Sequence, residues 1–504
     1  MSIFRQTVIT PFLDIIARFP ERNALCIAER FYTYRDFSQK IAGIVLAIRE
    51  RSYNQTHIGL VVHDDMETYA SIFAIWIAGF AYVPLHPQQP LERNLEITGQ
   101  AEIGLILDSE KESMYRQAGM EVLQTQQIPE AIETDLHALI TEESKEDRKT
   151  AYILFTSGST GKPKGVVISR GNLGAFMKSF WESGIHVVEH DRCLQCFDLT
   201  FDVSVQSFLA PLTRGACIYT IPHDQIKYSY AYGLLEDHKL TFGAMPPSLV
   251  RYLKPYFDEI HLPHFRCNIM TAEASPLDLL QQWAQCIPNA EIFDFYGPTE
   301  ATIYCTFYKF NRSGKTKELN GMLSIGKPMP GMTAVILDEN NGLCATGEKG
   351  ELCISGPQLT PGYWKNDEKN KQAFFTMEFE GEMQRFYRTG DSCYFDGDGD
   401  IMLEGRMDNQ MKIQGYRIEP GEIEYHARHF LNGQNAVVIA HDNDTGNTEL
   451  TLFIEGRFQK PDDLIAYLNT KLPRYMIPAR VFVEEVFPLN TSGKVDRLKL
   501  KSIL

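Results

Sequence analysis

The run Leu154-Phe155-Thr156-Ser157-Gly158-Ser159-Thr160-Gly161-Lys162-Pro163-Lys164-Gly165 constrains this chain more than any other segment, because hydroxyls, glycines and lysines converge on one turn. Ala151-Tyr152-Ile153-Leu154-Phe155 before it and Val166-Val167-Ile168 after it are apolar runs of strand formers, which predicts a loop between two strands, suited to holding polyphosphate. A P-loop needs four residues between its first glycine and its Gly-Lys, a Ser or Thr after the lysine, and then a helix. Gly158 and Gly161 enclose only two residues, and Pro163 follows Lys162, so the segment is not an ordinary P-loop. A solvated hairpin is the plainer alternative for a Gly/Ser/Lys loop. Two hydroxyls before the first glycine and two within the loop weigh against it.

A chain of 504 residues exceeds what one core organises, which predicts two or more domains. The formal net charge of -16 argues against a nucleic-acid binder that works by neutralising phosphates. Of the ten cysteines only Cys193 and Cys196 form a CxxC, without a second pair or a histidine at ligand spacing, so buried thiols in a reducing compartment are expected. The N-terminal segment reads as an amphipathic helix through Phe12, Ile15, Ile16 and Phe19, not as a signal peptide. The longest apolar segment, Tyr69 to Val83, is shorter than the roughly 20 residues a bilayer span needs. A cytoplasmic, soluble protein without membrane insertion is expected.

Between residues 24 and 110, strand-like runs (58–62, 82–85, 103–107) alternate with helix-period segments (38–51, 66–78), which predicts parallel α/β layers. A second α/β stretch follows the loop, with helices expected over 172–182, 205–212, 248–257 and 276–286. From about 323 to 403 the helical period fades, and runs at 333–337 and 350–354 indicate β-rich structure. Asp396-Gly397-Asp398-Gly399-Asp400 lacks the Gly and Glu of a calcium loop at the required positions and reads as a hairpin turn. The expected class is α/β: a large N-terminal domain (1–407) of layered α/β subdomains plus a β-rich subdomain, followed by a small mobile α+β domain (408–504).

Further motifs follow in order: Phe293-Asp294-Phe295-Tyr296-Gly297-Pro298-Thr299-Glu300, Gly350-Glu351-Leu352-Cys353-Ile354, and Tyr387-Arg388-Thr389-Gly390-Asp391. Gly405-Arg406-Met407-Asp408-Asn409-Gln410-Met411-Lys412-Ile413, Gly415-Tyr416-Arg417-Ile418-Glu419 and Asn490-Thr491-Ser492-Gly493-Lys494-Val495-Asp496-Arg497 complete the series. Over nearly the whole chain, this order and spacing resemble the adenylate-forming superfamily of acyl-CoA synthetases, firefly-type luciferases and peptide-synthetase adenylation domains.

That resemblance implies a reaction in which a carboxylate attacks the α-phosphate of ATP and expels pyrophosphate, so cations placed where negative charge accumulates matter most. It assigns Lys494 to the carboxylate and α-phosphate oxygens, and Thr156, Ser157, Gly158, Ser159, Thr160, Gly161 and Lys162 to the polyphosphate. Glu300 becomes a hard oxygen ligand for Mg2+, which keeps waters and bridges phosphates. Thr299 contacts the α-phosphate, Asp391 the ribose hydroxyls and Arg406 the ribose. Tyr296 offers a ring to adenine, within a segment that also includes Asp294, Phe295, Gly297 and Pro298. Asp408 occupies the hinge about which the small domain rotates.

Phe201-Asp202-Val203-Ser204-Val205 resembles the amino-acid-activating branch, in which an aspartate pairs with the substrate ammonium group. Asp198, four residues earlier, is the competing residue. The resemblance places Val203, Gln206, Ala244, Met270, Thr271, Ala272, Phe295, Ile303 and Tyr304 around the substrate side chain. Bulky Phe295 and Tyr304 point to a small or compact amino acid, and no charge stands among them. Length and architecture resemble the free-standing D-alanine:D-alanyl carrier protein ligases, although those have Cys-Gly-Glu where this chain has Thr271-Ala272-Glu273. His86 stands where amino-acid-activating relatives usually carry Asp.

The chain ends ten residues after Lys494, so the phosphopantetheine thiol is expected from a separate carrier protein, with Arg417, Lys471, Arg474 and Arg480 as contributors to docking. The leading expectation is therefore an ATP-dependent amino acid ligase that loads a carrier in trans. An acyl- or aryl-CoA ligase, in which Asp202 is merely structural, is the alternative. A catalytically silent adenylate binder is disfavoured by the retained Lys494, Glu300, Asp391 and phosphate loop.

Overall fold

Alternating strands and helices before residue 310 supply most of two sheets in a computed structural model of the chain. The structure describes residues 1–504 apart from 52, 133, 141–145, 158–162, 409, 444–445 and 490–494. The chain divides into two compact units: 1–87, 98–154 and 165–407 form the first, and 88–97, 155–164 and 408–504 the second.

In the first unit, a sheet of seven strands among the described residues runs Gly362–Tyr363, Lys164–Ser169, Thr150–Thr156, Ala81–Leu85, His57–Val61, Leu105–Asp108, Glu121–Gln124. From Thr150–Thr156 onward its neighbours pair in parallel. Helix Met66–Ala78 begins on Asp65, whose carboxylate accepts the Thr68 N–H at 2.8 Å, and stops at Gly79, which takes the left-handed φ of 98° that a side chain resists. Eleven of its thirteen residues are buried, as for a helix enclosed between layers. Helix Tyr34–Arg49 packs beside it and starts with a reciprocal Thr33–Asp36 capping box.

The second sheet of this unit has nine strands among the described residues, with Glu291–Tyr296, Cys267–Thr271, Phe242–Met245, Arg192–Gln195, Cys217–Thr220 and Asn23–Ile27 adjacent in that order and parallel. Helix Asp202–Leu212 follows Arg192–Gln195. In sheets of this kind, ligand-binding residues gather beyond the carboxyl ends of the strands. His63, His86, Asp198, His223, Ala272 and Gly297 all lie there.

A further antiparallel sheet carries Thr333–Leu337, Gly350–Ser355, Glu382–Phe395 and Phe374–Phe379, with Ile401–Arg406 paired to the long strand. Asp396 to Asp400 form the tight turn between its last two strands. There the ammonium of Lys317 lies 2.7 Å from Asp396, 2.8 Å from Asp398 and 2.5 Å from Asp400, so a lysine charge neutralises the acidic turn. All ten cysteines are free thiols, and all but Cys344 are buried.

In the second unit, strands Ala436–Asp442, Thr448–Glu455 and Arg480–Glu484 form a sheet against which helices Pro420–Phe430 and Arg497–Lys501 pack. Ile418, Ile423, Val438, Leu452 and Leu464 are central to its core. Among the described residues of the chain, no helix is long and apolar enough to cross a membrane.

Candidate active site

Asp391 and Arg406 face each other across the antiparallel strands Glu382–Phe395 and Ile401–Arg406. Arg406 Nη1 lies 3.2 Å from Asp391 Oδ1 and donates to the Thr389 carbonyl at 2.6 Å. Thr389 Oγ1 in turn accepts the Asp391 N–H at 3.0 Å. The hydroxyl of Tyr296, at the end of strand Glu291–Tyr296, donates to Asp391 Oδ2. Burial pushes that phenol well up, and the neighbouring Asp391 charge adds to the shift. Two sheets thus deliver an aromatic ring, a carboxylate and a guanidinium to one place, a set able to bind a nucleoside.

Asp294, two residues before Tyr296 on the same strand, is buried and accepts from Ser275 Oγ at 2.6 Å. Gly297 has no room for a side chain: an added Cβ would sit 2.4 Å from the Ile303 carbonyl oxygen and 2.6 Å from the Tyr304 Cα. The close approach serves a strained turn, because Thr302 (φ 56°) and Ile303 (φ 73°) are β-branched residues in left-handed backbone. Gln358 holds it, accepting from Thr302 Oγ1 at 2.5 Å through its carbonyl and donating from Nε2 to the Tyr304 carbonyl at 2.8 Å. Pro298 and the short turn Thr299–Ala301 lie between.

Glu300 is fully buried and accepts from the Tyr363 hydroxyl at 2.7 Å. Among the described residues there is no cluster of three or more His, Cys, Asp or Glu that could hold a metal. A single carboxylate suits Mg2+ that keeps its waters and takes its other oxygens from phosphate.

Asp202 opens helix Asp202–Leu212 and is buried. Its charge reaches three phenols, Tyr82, Tyr152 and Tyr304, each held up first by burial and further by Asp202. One turn along that helix, Gln206 Oε1 accepts from the Tyr304 hydroxyl at 3.3 Å. Tyr304 also bonds the Thr271 side chain, and its ring lies 5.0 Å from Phe295, which stacks on Phe307 at 5.4 Å. Val203, Ala244, Met270 and Ile303 are buried as well. Ala272 takes φ 71°, a conformation that favours glycine.

Asp198 is fully engaged. Its Oδ2 lies 2.7 Å from His86 Nε2, and its Oδ1 accepts from Thr200 N at 2.8 Å and Thr200 Oγ1 at 2.7 Å. Burial alone would raise its pKa, but the His86 charge and these hydrogen bonds hold it well below the usual carboxylate range.

In the second unit, Ser157 Oγ donates to the Arg417 carbonyl at 3.0 Å and accepts the Glu419 N–H at 3.2 Å. Thr156 ends its strand, and Asp408 accepts the Gln410 N–H at 3.0 Å. Gly158, Ser159, Thr160, Gly161, Lys162 and Lys494 lie outside the described residues. Sequence reasoning overlooked Tyr363, Gln358, Tyr82 and Tyr152. Each stands far along the chain from the residue it meets, so no local pattern marks it.

The chain spans only about 13% of the first curated relatives that it matches. It is 30% identical to tyrocidine synthase 2 of Brevibacillus parabrevis over 498 residues, covering 98% of this chain and 13% of that protein. Gramicidin S synthase 1 of Brevibacillus brevis is 28% identical, with 98% and 44% covered. Among solved structures, the Vibrio cholerae adenylation domain AlmE in complex with glycyl-adenosine-5'-phosphate superposes with a TM-score of 0.86 at 25% identity, covering 98% of this chain and 97% of that one. Holo-PA1221, a protein containing adenylation and PCP domains, has the same fold with a TM-score of 0.86 at 22% identity, covering 98% and 84%. Residues 12–364 match the AMP-binding enzyme family, and with a ring, a carboxylate and a guanidinium gathered where a nucleoside can bind, the chain belongs to that family and resembles peptide-synthetase adenylation domains.

Proposed function

We propose that this protein adenylates a small amino acid with ATP and Mg2+ and transfers it to the phosphopantetheine thiol of a carrier protein in trans, with D-alanine and glycine as the best-fitting substrates. In the first step the amino acid carboxylate attacks the α-phosphorus and pyrophosphate leaves. In the second the carrier thiol attacks the acyl carbon, losing its proton, and AMP leaves. Asp391 and Arg406 hold the ribose, Tyr296 the adenine, and Thr299 the α-phosphate. Lys494 neutralises charge where carboxylate and phosphate meet. Glu300 would hold Mg2+, which when bound would supply positive charge to the phosphates. Residues 1–407 act as the adenylating domain and 408–504 as a domain turning about Asp408, in the cytoplasm.

The observation that carries the amino-acid reading is Asp202: a buried carboxylate among phenols and apolar side chains is where a desolvated ammonium group finds its counter-charge. The competing Asp198 is already committed to His86 and Thr200. Burial along the pocket supports a small side chain. Asp202 and Val203 keep 8% and 6% of their surface, whereas Ala244, Met270, Phe295 and Ile303 keep 1% and Gln206 and Tyr304 none. The glycyl-adenylate bound to AlmE agrees with that size.

Pyrophosphate exchange with glycine, D- and L-alanine, leucine and phenylalanine tests the proposal. Exchange with glycine or alanine is expected. Exchange with none of them, together with CoA thioester formation from fatty or aryl acids, would replace it by an acyl- or aryl-CoA ligase.

A further inference from the structure

His86 follows strand Ala81–Leu85 of the seven-stranded sheet, and Asp198 follows Arg192–Gln195 of the nine-stranded one. Their contact at 2.7 Å, with side chains only 12% and 11% exposed, ties the carboxyl ends of two strands from different sheets. His223 completes the cluster. Its ring centroid lies 5.3 Å from that of His86, its Nε2 is 3.3 Å from the Val62 carbonyl, and burial lowers its pKa.

What this pair anchors is the loop leading to Asp202. Helix Asp202–Leu212 starts after Phe201 with no side-chain cap. The placement of its first residue therefore depends on the segment 197–201. Phe201 N donates to the Asp198 carbonyl at 2.9 Å, the Thr200 N–H and hydroxyl both bond Asp198 Oδ1, and Gln195 brackets Phe197 through its N–H (3.2 Å) and its carbonyl (2.9 Å). Asp198 is thus the hub of the loop, and His86 fixes the hub to the opposite sheet.

We propose that His86 is a positioning residue for amino-acid recognition: by pairing with Asp198 it sets the register of the loop that presents Asp202 to the substrate ammonium group. The inference rests on the amino-acid reading above. A carboxylate misplaced by about 1 Å loses much of its pairing with a bound cation, an effect that can reach about a hundredfold. ATP contacts, which lie on other strands, are not moved.

The test is pyrophosphate exchange by the full chain, with glycine and D-alanine as probes, in His86→Asn, Asp198→Asn and the exchanged pair His86→Asp with Asp198→His. Each single variant is expected to raise the amino-acid KM by about tenfold or more while the ATP KM stays within about twofold, and the exchanged pair to recover most of that loss. Unchanged amino-acid KM in the folded single variants, or equal rises in both KM values, would overturn the assignment. If the single variants do not fold, the exchanged pair decides: a folded exchanged pair with near wild-type amino-acid KM supports it, and one as impaired for ATP as for amino acid overturns it. Wild-type protein inactive with every amino acid overturns the amino-acid reading together with this inference. Active wild type with insensitive variants removes the inference alone.

Discussion

Tyr296 and Asp391, 95 residues apart, meet in one hydrogen bond at the junction of two sheets, and Arg406 closes on the same carboxylate from the adjacent strand. This carboxylate is pre-organised by donors on both oxygens, so it presents a fixed face to a diol. Asp391→Asn keeps the shape and removes the charge. Loss of a hydrogen bond to a charged group costs about 1.5–3 kcal/mol, so the ATP KM is expected to rise about ten- to a hundredfold with the amino-acid KM little changed. Steady-state pyrophosphate exchange at varied ATP measures it.

In the proposed first step Lys494 supplies the neutralising charge. Lys494→Ala is expected to slow adenylation by about a hundred- to a thousandfold, the loss seen when one donor to a developing oxyanion is removed. ATP binding measured by calorimetry should persist. Exchange kinetics equal to wild type would remove Lys494 from the assigned role.

Much of this architecture is legible in the sequence where local pattern dictates local structure. Helix Met66–Ala78 and strand Thr333–Leu337 fall where periodicity places them. Two departures trace to proline. The N-terminal segment is π-helical over Arg5–Ile9 before the α-helix Thr10–Arg18, because Pro11 cannot donate to the Thr7 carbonyl. The helix expected over 248–257 ends at Leu253 and passes into a 3-10 turn, since Pro255 has no N–H for the Arg251 carbonyl. The motifs were legible through their joint order and spacing along the chain, not one by one. Their supports were not: Tyr363 on Glu300 and His86 on Asp198 join residues that only the sheet order brings together.

Ala272 strains the backbone next to Thr271, with a left-handed φ of 71°. An L-residue in left-handed conformation costs about 1–2 kcal/mol, and glycine gives back about 0.5–1 kcal/mol through the unfolded chain. Ala272→Gly is thus expected to stabilise the protein by about 0.5–1 kcal/mol. An increased urea midpoint at constant slope measures it. A lowered midpoint would mean that the methyl group contributes more by packing than the backbone loses by strain.

His426 in the second unit sets a dependence of stability on acid. Burial lowers its pKa from 6.5 to about 4, and Arg93, Lys471 and His429 reinforce the shift against the opposing Glu92. Between those two values the unfolded chain binds a proton that the folded one refuses, so stability rises with pH across that window and falls as pH drops from 6.5 toward 4. Below about 4 both states are protonated and this contribution levels off. His426→Gln has no proton to refuse, and its urea midpoint should decline less than that of the wild type between pH 6.5 and pH 4. Parallel declines in the two proteins would assign the acid sensitivity to other groups.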